Sequence, residues 1–310
     1  MKKIILIIVL SLVAIAGVFL AIGIANGKEE EIINTYEIED FSSFEINIST
    51  SNLEFIPTNE RGKVICHETE KLCHKVSVND DTLHITSNLE ENKKWYEFIS
   101  FGGVQKKVEI YIPVKNYGTL NIYASTGNIK IPADFEFENV FIILSTGNVE
   151  MASKVINEIK ITTSTGNQNL NNISATHVVL DASTGNININ NLNATKDIRI
   201  NSSTGDIIAS NIIGENLTIE ASTAKVNLTN VVISNHMRIE TSTGDITLTD
   251  CDSLTAEIKA STGNISGNFL TYHKYEVSTS TGKINIPESH NDAGLYILKT
   301  STGNITISGK

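Results

Sequence analysis

The chain has 310 residues, a formal net charge of −11 and 6% aromatic residues. Its excess of acids argues against nucleic acid or an anionic lipid surface as a partner, and three cysteines support neither a disulfide framework nor a zinc ribbon. Few aromatics beside abundant Asn, Ser, Thr, Ile and Gly suit thin, regular β coils better than a globular core that needs bulky fillers.

Met1-Lys2-Lys3 is followed from Ile4 to Ala25 by a stretch without charge, in which Ser11 is the one polar side chain. About 22 residues at roughly 1.5 Å rise can cross a hydrocarbon core of about 30 Å. The stretch exceeds the apolar region of about 7 to 15 residues usual in a cleaved signal peptide, so residues 1–25 are expected to form a transmembrane anchor. Gly23-Ile24-Ala25 is the alternative: cleavage before Asn26 would release a secreted domain. Lys2 and Lys3 precede the apolar run, whereas Lys28 is followed by Glu29, Glu30 and Glu31, which places the carboxyl side outside the cell. No cysteine near the end of the run suggests a lipid anchor. Residues 26–35 read as an acidic linker.

Residues 36–124 read as irregular coils. Phe44, Ile46 and Ile48 lead into Ser49-Thr50-Ser51-Asn52-Leu53, a degenerate form of the repeat described below. The repeat is then lost until Ser125, a gap of 76 residues that equals four periods of 19. Val64–Cys66, Val76–Val78, Leu83–Ile85 and Val108–Ile112 read as strands separated by turn signals such as Asn79-Asp80-Asp81. Residues 88–105 form an insertion rich in rings, Trp95, Tyr96, Phe98 and Phe101, which either close the end of the core or form an interaction surface for a partner or the membrane. Cys66-His67 and Cys73-His74 would suit a metal ion if they converged, and a two-residue turn at Thr69-Glu70 would set Cys66 opposite Cys73. Cys66 itself occupies an inward strand position, where a small buried hydrophobe is expected; a disulfide is open to it outside the cell.

From residue 125 to 310 the tripeptide Ser-Thr-Gly recurs at Ser125, Ser145, Ser164, Ser183, Ser203, Ser242, Ser261, Ser280 and Ser301, with Ala224 replacing the glycine in the copy at Ser222. The marks lie 19 to 21 residues apart, a period that signals one supersecondary unit stacked on its neighbours. Each unit holds two stretches of period two. Ile187 and Ile189 share a face of one, and Ile198 and Ile200 share a face of the other. Equivalent pairs are Ile129/Ile131, Val140/Ile142, Ile159/Ile161, Val178/Leu180, Leu217/Ile219, Val226/Leu228, Met237/Ile239, Ile246/Leu248 and Ile284/Ile286. Between the stretches sits a further apolar residue, Ile173, Leu192, Ile212, Val231 or Leu270, with Cys251 at that place in its own coil. The pattern predicts an all-β fold, a single-stranded parallel β-helix or β-solenoid of about 19–20 residues per coil, right-handed by the general bias of parallel crossovers.

Counting by twos from Ile198 and Ile200 reaches Ser202 and Thr204. The threonines Thr126, Thr146, Thr165, Thr184, Thr204, Thr223, Thr243, Thr262, Thr281 and Thr302 are therefore expected to point inward as a structural corner ladder, each followed by a glycine that supplies the turn. The third residue after each marked serine forms an outward column: Asn128, Asn148, Asn167, Asn186, Asp206, Lys225, Asp245, Asn264, Lys283 and Asn304. Asp206 and Asp245, two coils apart, approach the carboxylate separation of inverting glycosidases, but Lys225 between them would pair with both. The column lacks the spacing of calcium-binding β-rolls, and the repeated serines have no histidine at matching intervals. No catalytic, cofactor-binding or metal residue is assigned, and no cofactor is expected. Outward charges on the second strand (Asp197, Arg199, Glu220, Arg238, Glu240, Glu257 and Lys259 among them) form a polar face open to glycan. The last coil stops at Lys310 after one strand, which would leave an open edge for end-to-end self-association.

The order of an apolar amino terminus, a degenerate coil, Lys63-Val64-Ile65-Cys66-His67-Glu68, Lys94-Trp95-Tyr96, Tyr111-Ile112-Pro113 and then Ser-Thr-Gly-Asn/Asp-Ile coils resembles the bacterial putative-adhesin family of β-strand-repeat proteins from about residue 36 onward. The resemblance implies a non-enzymatic β-solenoid at the surface of a Gram-positive bacterium, with cell-wall polymer, a host or surface glycan, or a membrane protein as partner. It leaves two alternatives, an envelope-stress sensor acting through another membrane protein and a polysaccharide-acting β-helix enzyme.

Overall fold

A computed structural model describes residues 30–70, 72–89 and 106–309. The apolar run 4–25 and the rings of Trp95, Tyr96, Phe98 and Phe101 lie outside these described residues. The amino-terminal part supplies β1 (Ile32–Glu37), β2 (Ser43–Thr50), β3 (Asn52–Thr58), β4 (Lys63–Glu68), β5 (Leu72–Asn79), β6 (Thr82–Leu89) and β7 (Lys107–Pro113). Regular coils follow as β8 (Asn116–Thr126), β9 (Ile129–Ile131), β10 (Glu136–Thr146), β11 (Val149–Met151), β12 (Lys154–Thr165), β13 (Gln168–Ala175), β14 (His177–Thr184), β15 (Ile187–Ala194) and β16 (Asp197–Ser202). Three long strands then each span both faces of a coil: β17 (Ile207–Thr223), β18 (Val226–Thr243) and β19 (Ile246–Thr262). The chain ends with β20 (Ile265–Phe269), β21 (Lys274–Thr281), β22 (Ile284–Asn285), β23 (Leu295–Thr302) and β24 (Ile305–Ser308).

All belong to one 24-stranded sheet wound into a solenoid. Equivalent strands of successive coils pair parallel and in register: Ile142 lies between Ile122 and Ile161, and Glu150 between Lys130 and Asn169. The period of two therefore delivers an aliphatic column to the interior, where Ile122, Ile142, Ile161, Leu180, Ile200, Ile219, Ile239 and Ile258 are all buried. The first coils are filled by rings instead. Phe41, Phe44, Phe55, Tyr117, Phe135 and Phe137 pack mostly edge-on or tilted, with Phe41 stacked on Tyr117, at centroid distances of 4.9 to 6.4 Å.

The corner threonines depart from expectation. Thr126, Thr146, Thr165, Thr184, Thr204, Thr223, Thr243, Thr262, Thr281 and Thr302 are all exposed, although the pairing still sets Thr146 beside Thr126 and Thr165. The ladder passes from Leu144↔Thr163 to Thr146↔Thr165 and leaves out the serines between them. Serine and threonine thus both face outward, strict alternation ends at the corner, and counting by twos across it fails. The residue before the serine closes the core instead, and it is mostly small: Ala124, Thr163, Ala182, Ser202, Ala221, Thr241, Ala260 and Thr300 are buried.

Glycine follows because the coils touch there. At Gly166, with φ of +139°, an added Cβ would lie 1.8 Å from the Gly147 carbonyl oxygen. The opposite corner uses another device: Asn172, Asn191, Asn211, Asn230 and Asp250 adopt φ of 52 to 60°, a region that Asn and Asp enter more readily than other side chains. Leu270 does not take the midway core position; Phe269 pairs with Cys251 and is buried in its place.

Both ends are threaded out of sequence order. The 76-residue gap holds no series of four coils, because β2 and β3 lie directly against β8 and β9, with Thr50 beside Thr126 and Leu53 beside Ile129. One further coil, β6 with β7, is laid on the outer side of β2 and β3. The antiparallel strands β5 and β4 then cover its outer edges, and β1 covers β4. At the other end β23 pairs with β19 on one side and β21 on the other. The final coil is therefore enclosed, and the open edge expected at its strand is absent. The outermost coil is β21 with β22, whose Ile284 is 45% exposed.

Candidate functional site

Along the outward side of the marked strands runs a groove of about 870 Å³, floored by serines that include Ser203, Ser222, Ser242 and Ser261. The stacking repeats each hydroxyl once per coil, about 4.8 Å apart. Arg199, Glu220, Glu240 and Lys259 form part of its wall. Two carboxylates on adjacent coils are flanked by cations: Arg199 Nη2 lies 3.8 Å from Glu220 Oε2, and Lys259 Nζ lies 3.5 Å from Glu240 Oε1. Lys259 also bonds Glu257, whose carboxyl it holds below the usual carboxylate range. Exposed pairs of this kind contribute about 0–1 kcal/mol each, so they cost little to rearrange around a ligand. The groove offers repeated hydroxyl donors and acceptors along the rod, and among the described residues no histidine bonds its serines.

Asp206 and Asp245 are engaged in holding coils together. Asp206 Oδ1 accepts the backbone N–H of Lys225 at 2.9 Å, and Asp245 Oδ1 accepts the N–H and the Nδ2 donor of Asn264 at 2.8 and 3.1 Å. The same bond runs from Asn128 to Asn148, Asn167, Asn186 and Asp206 in turn. Each side-chain oxygen satisfies a backbone donor of the next coil, which is why Asn and Asp fill this column. Lys225 has no acceptor oxygen, so the series restarts at Asp245. The lysine joins the column through its backbone N–H, in place of the double ion pair expected from sequence.

A second polar assembly is buried at the amino-terminal end. Alternation on β4 turns Cys66 and Glu68 inward and His67 away, where His67 Nδ1 lies 2.7 Å from Glu31 Oε1. On β5 it turns His74 inward and leaves Cys73 exposed. The two Cys-His pairs therefore do not converge; one member of each does, together with Glu68. His74 Nδ1 lies 3.0 Å from Glu68 Oε1 and His74 Nε2 lies 3.1 Å from Ser51 Oγ. Asn34 Nδ2 donates to Glu68 Oε2 at 2.6 Å, and the Tyr36 hydroxyl donates to the His74 carbonyl at 3.1 Å. Burial, reinforced by Glu68, pushes the Cys66 thiol up to about 12. Burial also lowers the His74 imidazole, outweighing the raising effect of Glu68. Ser51, His74 and Glu68 have the connectivity of a hydrolase triad, but Ser51 is 3% exposed and its hydroxyl donates to the Thr50 carbonyl at 2.8 Å. It cannot reach a substrate. The sequence signal for Glu68 is its spacing: Cys66 and Glu68 are two apart on one strand, with His74 inward on the next.

At the opposite end His273 stacks on Tyr296 with centroids 3.6 Å apart, and its Nε2 lies 3.0 Å from Asp252 Oδ1. Burial lowers its pKa despite that carboxylate. Beside it Tyr272, Tyr275, Glu288 and His290 line a cavity of about 290 Å³.

The Toastrack DUF4097 model matches residues 41–207 and 192–309. In fold the chain is similar to a putative adhesin from Parabacteroides distasonis ATCC 8503, at 13% identity over 90% of this chain and 98% of that one, with a TM-score of 0.49. It is also similar to a putative adhesin from Bacteroides fragilis NCTC 9343, at 12% identity over 90% and 97%, with a TM-score of 0.43. A third such structure is a putative lipid binding protein from Parabacteroides distasonis ATCC 8503, at 15% identity over 90% and 97%, with a TM-score of 0.40. Among curated proteins none matches the sequence. The family model spans the solenoid from β2 to its last strand, and the chain belongs to the Toastrack DUF4097 family.

Proposed function

We propose that this chain is a non-enzymatic, adhesin-like interaction module held on the outer side of the cell membrane by residues 4–25, and that its serine-floored groove engages an extended, hydroxyl-rich polymer of the cell wall or of a host surface. The groove carries the reading: its volume of about 870 Å³ runs along several coils, and its wall carries both cations and carboxylates. Hydroxyls repeated at strand spacing suit a polymer whose own hydroxyls repeat, because each weak contact is multiplied along the rod. The net charge of −11 argues against nucleic acid as the partner. The two carboxylates best placed for glycoside chemistry, Asp206 and Asp245, already accept backbone donors.

The test is retention of the intact chain, in detergent, on insoluble cell-wall material and on arrayed glycans. Binding should fall about tenfold or more when Ser203, Ser222 and Ser242 are replaced together by Leu, which fills the groove without touching the core. Undiminished binding by that variant, or no retention on any polymer, would overturn the assignment of the groove. Polymer cleavage that is lost in Asp206→Asn would replace it with the enzymatic alternative.

A further inference from the structure

The buried assembly at the amino-terminal end brings a thiol, a carboxylate and an imidazole together out of solvent. Ser51 Oγ donates its single hydrogen to the Thr50 carbonyl at 2.8 Å. With the hydroxyl so turned, the 3.1 Å contact between Ser51 Oγ and His74 Nε2 is a donation from the imidazole N–H into the serine oxygen; with the hydroxyl turned to Nε2 instead, the imidazole carries its hydrogen on Nδ1 and donates it to Glu68. A neutral imidazole protonated on Nε2 carries its lone pair on Nδ1. That lone pair faces Glu68 Oε1 at 3.0 Å, an oxygen that already accepts the His74 backbone N–H. In the first arrangement two acceptors face each other where the His74 and Glu68 side chains are 0% and 1% exposed, which is costly unless something positive lies between them; in the second the contact is an ordinary hydrogen bond, and it is the donors gathered around it that point to a cation. The Cys66 sulfur completes the picture: Sγ, a Glu68 oxygen and a His74 nitrogen all lie within 4.8 Å of one another, and all three residues are buried.

We propose that Cys66, Glu68 and His74 form a structural site for a divalent transition-metal cation of the zinc type, bound through Sγ, Oε1 and Nδ1. Sulfur, nitrogen and carboxylate oxygen are the donors zinc accepts. The outer partners are already in place, as such sites require. Ser51 takes the Nε2–H and thereby leaves Nδ1 available, while Asn34 occupies Oε2 and leaves Oε1 turned to the site. On binding, the cation–sulfur bond forms as the Cys66 S–H bond breaks and its proton passes to solvent. Thiolate and carboxylate together then balance a dication, so the buried site is neutral. The ligands lie on β4 and β5, and the outer partners on β1 and the corner between β2 and β3. A bound cation would fasten these segments together where the solenoid is closed.

The experiment is a cobalt(II) titration of the intact chain in detergent after chelator treatment. Expected are one cobalt per chain, a thiolate-to-cobalt charge-transfer band in the near ultraviolet, and loss of that band when zinc is added. Cys66→Ser should remove the band and weaken cobalt binding about tenfold or more. Cys73→Ser, at the exposed thiol, should leave both unchanged. If Cys66→Ser does not fold, the native chain still decides. No charge-transfer band at saturating cobalt would overturn the site and assign the Glu68–His74 contact to a direct hydrogen bond from the imidazole Nδ1–H to the carboxylate. A band that survives in Cys66→Ser and vanishes in Cys73→Ser would overturn the ligand set.

Discussion

The two ends of the solenoid solve the same problem differently. Each carries an outermost coil threaded out of sequence order, β6 with β7 at one end and β21 with β22 at the other. At the first end antiparallel strands take up the outer edges, and Leu83, Ile85, Val108 and Ile110 are fully buried. At the second, only β23 pairs with β21 among the described residues, and Tyr275, Val277 and Ile286 are half-buried. An exposed strand edge invites pairing with another chain. A repeat stack is thus finished by strands of the opposite direction, since another coil of the same kind only moves the open edge outward.

The largest contrast between the ends should appear in their cores. Phe137→Ala removes a fully buried ring packed against Phe44, Phe55 and Tyr117, and should cost about 3–5 kcal/mol in urea unfolding. Val277→Ala, in the half-buried outer coil, should cost less than about 1 kcal/mol; equal losses would mean that the second end is closed as well. Next comes the glycine corner. Gly166→Ala forces a Cβ against the Gly147 carbonyl with coils packed on both sides and should cost about 3 kcal/mol or more. At Gly282 the same clash arises with the Gly303 carbonyl oxygen, 2.0 Å from the added Cβ. The outer coil can move away, so Gly282→Ala should cost about half as much.

A smaller effect follows from His273. Burial lowers its pKa in the folded chain, with Asp252 opposing. The unfolded chain takes up a proton near pH 6.5 that the folded chain resists. Stability should therefore be full above that pH and decline as pH falls below it; His273→Gln should flatten this part of the acid limb in denaturation midpoints measured from pH 7.5 to 5. Smallest of all is Thr165→Ala. The threonine is exposed, so its loss should stay within about 0.5 kcal/mol. A cost several times larger would restore an inward corner ladder.

These differences also mark what could be read from the chain. The period and the aliphatic pairs were legible because stacking in register repeats the same environment in every coil, as at Ile122, Ile142 and Ile161. The corner was misread because alternation holds only while a strand is straight, and Ser145 and Thr146 both turn outward where it bends. The Asn and Asp column was seen, but its bonds were not, since each joins a side chain to the backbone of a different coil. Coil order at the ends was illegible for a related reason. Adjacent copies of a repeat look alike in sequence, and nothing local to Ser280 or Ser301 says which lies against Ser261. Glu68 was passed over because its partners Asn34 and His74 come from two other strands.

The most direct test of the threading is a pair of cysteine crosslinks in a Cys73→Ser background. Thr262 is the register partner of Thr302, and Thr302 separates it from Thr281. A short thiol-bridging reagent should join the chain carrying Thr262→Cys and Thr302→Cys in high yield, and should leave the chain carrying Thr262→Cys and Thr281→Cys unjoined, its sites two coils or roughly 10 Å apart. Efficient joining of the second pair and not the first would mean that the coils stack in simple sequence order, contrary to the fold described.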